Sequence, residues 1–274
     1  MGISTKAYML YALNGEGEKV PAMPRGRAFC PVCGSGVIAK CGSKVARHWA
    51  HKHSSACDLW SEETAWHVAW KSIIRKDRCE VVLRHGGVTH RADIVGNRNT
   101  VIELQHSSIS PDEIRARERF YGKMVWVFDA AGFFGNMVLA PIDDYVVIAW
   151  YYPRTALLLA RKPVYLHLPC GNILKLEHTY PKRRGEPLRA WGRIMGWKPF
   201  YHLYLSSVVG SLYKDGEQPE AIKSRVDIDF SKLKFHHGIK IKLRCGCDSR
   251  DEYPNCGMVC KSADNDHIRR ALSL

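Results

Sequence analysis

No run of this chain approaches the roughly 18 apolar residues of a membrane-spanning helix, so no such helix is expected. The first dozen residues carry a short apolar patch but no A-x-A-like cleavage site before Asn14-Gly15, and no signal peptide is expected. Internal repeats and low-complexity segments are absent, which excludes repeat architectures. Acidic residues are in short supply: 27 stand against 41 basic ones, a net charge of +14 with a pI near 9.4. That deficit suits a polyanionic partner, most simply nucleic acid, better than general solubility does. Ten cysteines in 274 residues are too sparse for a secreted disulfide scaffold. Their grouping in C-x2-C and C-x-C patterns points instead to bound metal in a reducing cytoplasm. With 46% apolar and 25% charged residues the chain is of the soluble globular kind, long enough for one large domain or two modest ones.

What the chain does have is a pair of acids in an apolar setting. Thr89 to Gln105 reads as two strand-like runs around Gly96-Asn-Arg-Asn99, the pattern of a β-hairpin. With a loop of Asn97 to Asn99, Gly96 faces Thr100 and Asp93 lies directly opposite Glu103. Such partners on one sheet face sit about 4.5–5.5 Å apart at Cβ. Gln105, two residues beyond Glu103, shares that face. Two acids this close repel unless a cation or a proton lies between them. A hard divalent cation such as Mg2+ meets that need. The alternative is a hairpin with two solvated acids on its polar face.

Cys30-Pro-Val-Cys33-Gly has the form of a zinc knuckle, with two thiolates presented by one tight turn. His48-Trp-Ala-His51-Lys-His53 and Cys57 follow closely. The first-choice ligand set is Cys30, Cys33, His48 and His51, with His53 and Cys57 as alternates and Cys41 a weaker one. If the histidine segment is a strand, residues three apart face opposite ways and one of His48 and His51 must give way. The zinc would be structural, contributing folding energy to a module too small to fold alone.

A helix is expected from Ser61, an N-cap candidate, to Ile74. Trp66, Ala69, Trp70, Ile73 and Ile74 form its apolar stripe, and Glu63, His67 and Lys71 line the opposite face. That second stripe is either a solvated face or part of a site with the adjacent acids. Cys79 to Arg84 reads as a strand, and the hairpin follows. Ser110-Pro-Asp-Glu113 opens a helix that Gly122 closes, and Met124 to Asp129 is a buried-type strand. Further strands are expected at Val146–Tyr152, Ala156–Ala160 and Val164–Leu168. From Pro181 the chain interleaves Lys182, Arg183, Arg184, Arg189, Arg193 and Lys198 with Trp191, Trp197, Phe200 and Tyr201. That mixture suits stacking on nucleic acid, or equally a basic surface over an aromatic core. Cys245, Cys247, Cys256 and Cys260 form a candidate second zinc site, with free thiols or a mixed site involving His236, His237 or His267 as alternatives.

The order helix, three strands, helix, strand, with Asp on one strand and Glu-x-Gln on the next, resembles the PD-(D/E)XK nuclease superfamily. The closer resemblance is to the CoiA-like competence proteins. It is carried by Cys30-Pro-x-Cys33, His48-Trp-Ala-His51, Glu63-Thr-x-x-His67-x-x-x-Lys71, Ala92-Asp-Ile94, Val101-Ile-Glu-Leu-Gln-His-Ser107, the Ile114–Tyr121 helix and Trp126-Val-Phe-Asp129. The resemblance runs from about residue 8 to 180 and implies a mixed α/β (α+β) fold, with a hairpin and zinc module over 1–60 and a PD-(D/E)XK-like core over 61–180. The change of composition at Pro181 marks off a third part, a basic, cysteine-containing extension over 181–274. It implies phosphodiester hydrolysis on DNA with Mg2+ or Mn2+, in DNA uptake, recombination or mobile-element conflict. Asp93, Glu103 and the Leu104 carbonyl take the places of metal ligands, and Glu63 that of a supporting helix glutamate. Gln105 stands where the superfamily usually has a lysine that orients water and stabilises phosphate charge. Glutamine carries no cation, so Lys71 or His67 would supply the charge or the proton-transfer group. His106, Ser107 and Ser108 could donate to phosphate. Two other readings compete: a nuclease-like protein that binds DNA without cutting it, and a zinc-stabilised adaptor for recombination proteins.

Overall fold

The computed structural model describes residues 9–42, 47–52, 64–142 and 145–210. Over these residues the protein is a mixed α/β chain with many strands, few helices and a mixed sheet. The strands are β1 (Tyr11–Leu13), β2 (Lys19–Pro21), β3 (Arg27–Phe29), β4 (Gly36–Lys40), β5 (His48–His51), β6 (Cys79–His85), β7 (Val88–Val95), β8 (Val101–Gln105), β9 (Met124–Asp129), β10 (Met137–Ile142), β11 (Tyr145–Trp150), β12 (Val164–His167), β13 (Ile173–Thr179) and β14 (Leu188–Met195). The helices are α1 (Ala65–Ser72), α2 (Pro111–Tyr121) and α3 (Trp197–Tyr204). None of the described helices is long and apolar enough to cross a membrane. The described chain divides into two compact units, one of residues 9–106, 116–125 and 198–210, the other of 107–115 and 126–197.

The first unit opens with a small antiparallel sheet in the order β2-β1-β3-β4-β5. Asn14 folds its first turn, its side-chain oxygen accepting from the Glu16 and Glu18 amides at 3.0 and 2.8 Å. The resulting register sets Tyr11 opposite Pro21. Met9, Ala12, Ala28, Val37 and Trp49 form its own small core. The Trp49 indole N–H donates to the Val20 carbonyl at 2.9 Å, so the ring is buried without a stranded polar atom.

The same unit carries α1 and the antiparallel strands β6, β7 and β8. Helix α1 starts at Thr64 rather than at Ser61: the Thr64 hydroxyl accepts from the His67 amide, and the His67 ring accepts from the Thr64 amide, a closed capping box. Trp66, Ala69, Trp70, Ile73 and Ile74 are all buried, as the apolar stripe requires. His67 and Lys71 are buried too, at 5% and 0% exposure, which removes the solvated-face reading for those two positions. The hairpin turn is one tight 3-10 turn, Asn97–Asn99, closed by the Gly96 amide donating to the Thr100 carbonyl at 2.9 Å. Arg98 and Asn99 adopt left-handed φ angles of 53° and 56° there. Helix α3 backs this turn: Asn97 donates to the His202 carbonyl at 3.0 Å, and Trp70 meets Phe200 edge-on.

Ser110 caps α2 by accepting from the Glu113 amide at 3.1 Å, and Gly122 ends it at φ 65°. In the second unit the strands run β10-β11-β14-β13-β12-β9, antiparallel except for β12 beside β9. One expectation needs correction here, and one open pair of readings is settled. Ala156–Ala160 holds no strand but one 3-10 turn, Leu157–Leu159, because the amides of 157 to 160 each reach back three residues to a carbonyl. The aromatic, basic stretch after Pro181 is not a stacking platform over its whole length. It forms β14 and α3, and Trp197, Phe200 and Tyr201 are buried core residues.

Candidate metal centres

Three acids form a row across β6, β7 and β8. Val95 pairs with Val101 and Ile94 with Ile102, and Asp93 and Glu103 are the next residues beyond that last pair, where the Asp93 side chain takes the Leu104 amide. Cys79 pairs with Ile94 and Val81 with Ala92, which continues to Glu80 opposite Asp93. Every residue of β8 is buried, so the acids face protein rather than bulk water. Asp93 accepts from the Leu104 amide at 3.0 Å and from Lys71 Nζ at 2.8 Å. Lys71 Nζ also lies 3.4 Å from Glu80 Oε1, which accepts from Arg91 Nη1 at 2.9 Å. Glu103 Oε2 accepts from Arg117 on α2, and Tyr121 hydrogen-bonds the same carboxyl. Glu103 Oε1 is buried and has no hydrogen-bond partner.

The charges are unevenly settled. Burial pushes the Glu103 carboxyl up, Arg117 pulls it down and Asp93 raises it again, and the net position is about 7. Burial also acts to raise Asp93, but Lys71 foremost, with His67 and Arg91, overcomes it and holds that carboxyl well below the usual carboxylate range. His67 is pushed down to about 4, mainly by burial, and is neutral near pH 7. Its Nδ1 accepts from the Thr64 amide at 3.3 Å, so Nε2 carries the proton and donates to the Leu104 carbonyl at 3.2 Å. The donor set fits a hard divalent cation: two neighbouring carboxylates, one with an unsatisfied buried oxygen, beside a main-chain carbonyl.

The second candidate lies in the small sheet. The ligand atoms of Cys30, Cys33 and His51 all lie within 4.8 Å of one another. Cys33 Sγ is 3.3 Å from His51 Nε2. The turn is built for a thiolate: the Val32 amide points at Cys30 Sγ at 3.4 Å, and the Gly34 amide closes on the Cys30 carbonyl at 2.8 Å. Gly34 takes φ 72°, where a side chain would strain the turn. This Cys2His group fits zinc. His48 does not join it. Its segment is strand β5, where residues three apart point to opposite faces, so only His51 reaches the cysteines. Cys41 packs instead against the core of the sheet. The alternates His53 and Cys57 lie outside the described residues, as do Cys245, Cys247, Cys256, Cys260 and Glu63.

The structure thus brings together Asp93, Glu103, the Leu104 carbonyl, His67 and Lys71. Gln105 is buried on β8, while Ser107 and Ser108 are exposed beyond its end. Sequence reasoning missed Glu80, Arg91, Arg117 and Tyr121. Glu80 lies on β6 and Arg91 on β7, among residues that read as ordinary strand, and no spacing links them to Lys71. Arg117 and Tyr121 are four apart on α2, a shared helical face that could have been read as aimed at the sheet.

Residues 17–59 match the family model described as Competence protein CoiA, N-terminal domain. Over 105 residues the chain is 30% identical to Competence protein CoiA of Bacillus subtilis (strain 168). That stretch is 35% of this chain and 28% of the relative, so the similarity spans little more than a quarter of that protein. No solved structure matches the chain.

Proposed function

The chain is a CoiA-like protein, and from that premise we propose that it is a divalent-metal-dependent DNA nuclease acting in DNA uptake, recombination or mobile-element conflict. One observation carries the proposal: Asp93 and Glu103 each lie one residue beyond the Ile94–Ile102 pair of adjacent strands, near enough for Asp93 to raise the Glu103 carboxyl, and Glu103 keeps a buried oxygen without a partner. The run α1, β6, β7, β8, α2, β9 supports a PD-(D/E)XK-type core with these acids at its centre. The net charge of +14 supports a nucleic-acid substrate.

Asp93, Glu103 and the Leu104 carbonyl would hold Mg2+ or Mn2+. When bound, the cation supplies Lewis acidity toward a phosphoryl oxygen and lowers the pKa of water. Lys71 provides the positive charge that Gln105 cannot, from a helix rather than from the strand. His67 holds the Leu104 carbonyl in place and, neutral with both ring nitrogens engaged, is a support rather than a proton carrier. The products would be a free 3′-hydroxyl and a 5′-phosphate.

A second reading has one observation in its favour. Each acid already has a protein cation, Lys71 on Asp93 and Arg117 on Glu103. A nuclease-like protein that binds DNA without cutting it would look the same. Cleavage of plasmid and of single-stranded, duplex and branched oligonucleotides, with Mg2+, Mn2+ or a chelator, separates the readings. The nuclease reading expects metal-dependent cleavage that Asp93→Ala and Glu103→Ala abolish; cleavage surviving in either variant refutes the site. Binding without cleavage in every metal favours the second reading, and no binding at all favours an adaptor for recombination proteins.

A further inference from the structure

Glu80 is not among the candidate ligands of either metal centre, yet it is held from several sides. It is 1% exposed and sits at φ 49°, a left-handed conformation that a non-glycine residue keeps only where its surroundings over-determine it. The surroundings come from the small N-terminal sheet. Glu80 Oε2 accepts from the Leu10 and Tyr11 amides at 3.1 and 3.2 Å. Lys19, on β2, donates to the main-chain carbonyls of both Cys79 and Glu80. The other carboxylate oxygen, Oε1, receives Arg91 and lies 3.4 Å from Lys71, whose ammonium is 2.8 Å from Asp93. A continuous line of polar contacts therefore runs from β1 through Glu80 and Lys71 to Asp93.

We propose that Glu80 is a positioning residue for the acid site, clamped by the zinc-bearing sheet and setting the charge that a divalent cation meets at Asp93. The proposal rests on Asp93 and Glu103 being a cation site. Its physical basis is charge balance. Two cations, Lys71 and Arg91, are matched by two acids, Glu80 and Asp93. Without the Glu80 charge, both cations act on Asp93 alone, and a bound divalent ion gains one unit of repulsion at short range. In a medium of effective dielectric near 20, such a change is worth at least about tenfold in affinity. The zinc sheet is then part of the acid site's architecture, since it holds both the side chain and the backbone of Glu80.

The test titrates Mn2+ into the full-length, zinc-loaded protein and follows free Mn2+ by electron paramagnetic resonance, with DNA absent. Glu80→Gln should weaken binding about tenfold or more. Arg91→Gln should tighten it, and the double variant should return toward wild type. Tightening cannot come from structural damage, so Arg91→Gln keeps the test decisive even where Glu80→Gln folds poorly. Amide hydrogen exchange at Leu10 and Tyr11 should accelerate in Glu80→Gln, which reports the clamp without any metal. Glu80→Gln binding within about twofold of wild type overturns the proposal, as does an Arg91→Gln that binds no more tightly. A wild type that binds no Mn2+ sinks the cation site itself, an outcome visible before any variant is made.

Discussion

Glu103 and His67 should push stability in opposite directions across one pH window. Glu103 is wholly buried, and its carboxyl moves from the ordinary 4.5 to about 7. Between those values the native state holds a proton that the unfolded chain has released, so this contribution is complete below about pH 4.5 and lost as pH rises through about 7. His67 moves the other way, from 6.5 to about 4. There the unfolded chain is protonated and the native ring is not, so its contribution is complete above about pH 6.5 and lost as pH falls through about 4. Each displacement corresponds to roughly 3 kcal/mol, and in the wild type the two oppose each other. Glu103→Gln removes one side of the balance. Relative to wild type, its stability in urea should decline by roughly 3 kcal/mol as pH falls from about 7.5 to 4.5. Taking the difference between the two proteins cancels groups that titrate alike in both. Millimolar Mg2+ should tilt the wild-type profile in the same sense, because it stabilises only the ionised carboxylate. A Glu103→Gln profile that runs parallel to wild type over this range would refute the placement of an unsatisfied acid at the centre of the site.

Metal analysis of the purified protein should give one or two equivalents of zinc per chain, two if the C-terminal cysteines also bind it. His51→Ala or Cys33→Ser should lower the count by one and loosen the small sheet, whereas His48→Ala should leave the count unchanged. Gly96→Ala should destabilise the protein by about 2–4 kcal/mol. A Cβ there would lie 2.3 Å from the Tyr204 carbonyl oxygen and 3.1 Å from Ile102 Cδ1, with backbone on one side that cannot step away. A lower urea midpoint with an unchanged slope checks it.

The local elements were readable where a local rule fixed them. Gly96 and the Asn97–Asn99 turn set the hairpin register, and with it the nearness of Asp93 and Glu103. Ser110, Pro111 and Gly122 bounded α2, and Met124–Asp129 announced itself by unbroken apolarity. The histidine ligand was readable only as a conditional, since its geometry depends on whether residues 48–51 form a strand, and they do. Ala156–Ala160 failed because five apolar residues carry no period that separates a strand from a tight turn. For Trp197, Phe200 and Tyr201 the stacking and aromatic-core readings both stayed open, because aromatic and basic residues in one stretch do not say which of them the fold buries; the structure has the core. Glu80 was out of reach altogether: its partners lie at Leu10, Tyr11, Lys71 and Arg91, and only tertiary packing joins them.

That packing bears on the missing lysine. A cation on strand β8 at Gln105 would be buried as well, since Gln105 is itself buried. Putting it on α1 at Lys71 buries an ammonium completely, and burying a charge is costly unless its partners are well placed. Here the partners are Asp93 and Glu80, and Glu80 in turn needs Arg91, the Leu10 and Tyr11 amides and a strained backbone. Buried ion networks of this kind add little to stability compared with apolar residues of the same volume. An arrangement that recruits a separate sheet to keep one ammonium against one carboxylate is therefore hard to account for by stability. It is accounted for if the charge beside Asp93 has a task in the site. Lys71→Met is the substitution that separates these accounts. A stability role predicts a lower midpoint with cleavage, where present, intact; a role in the site predicts a protein that remains folded, binds DNA and no longer cuts it.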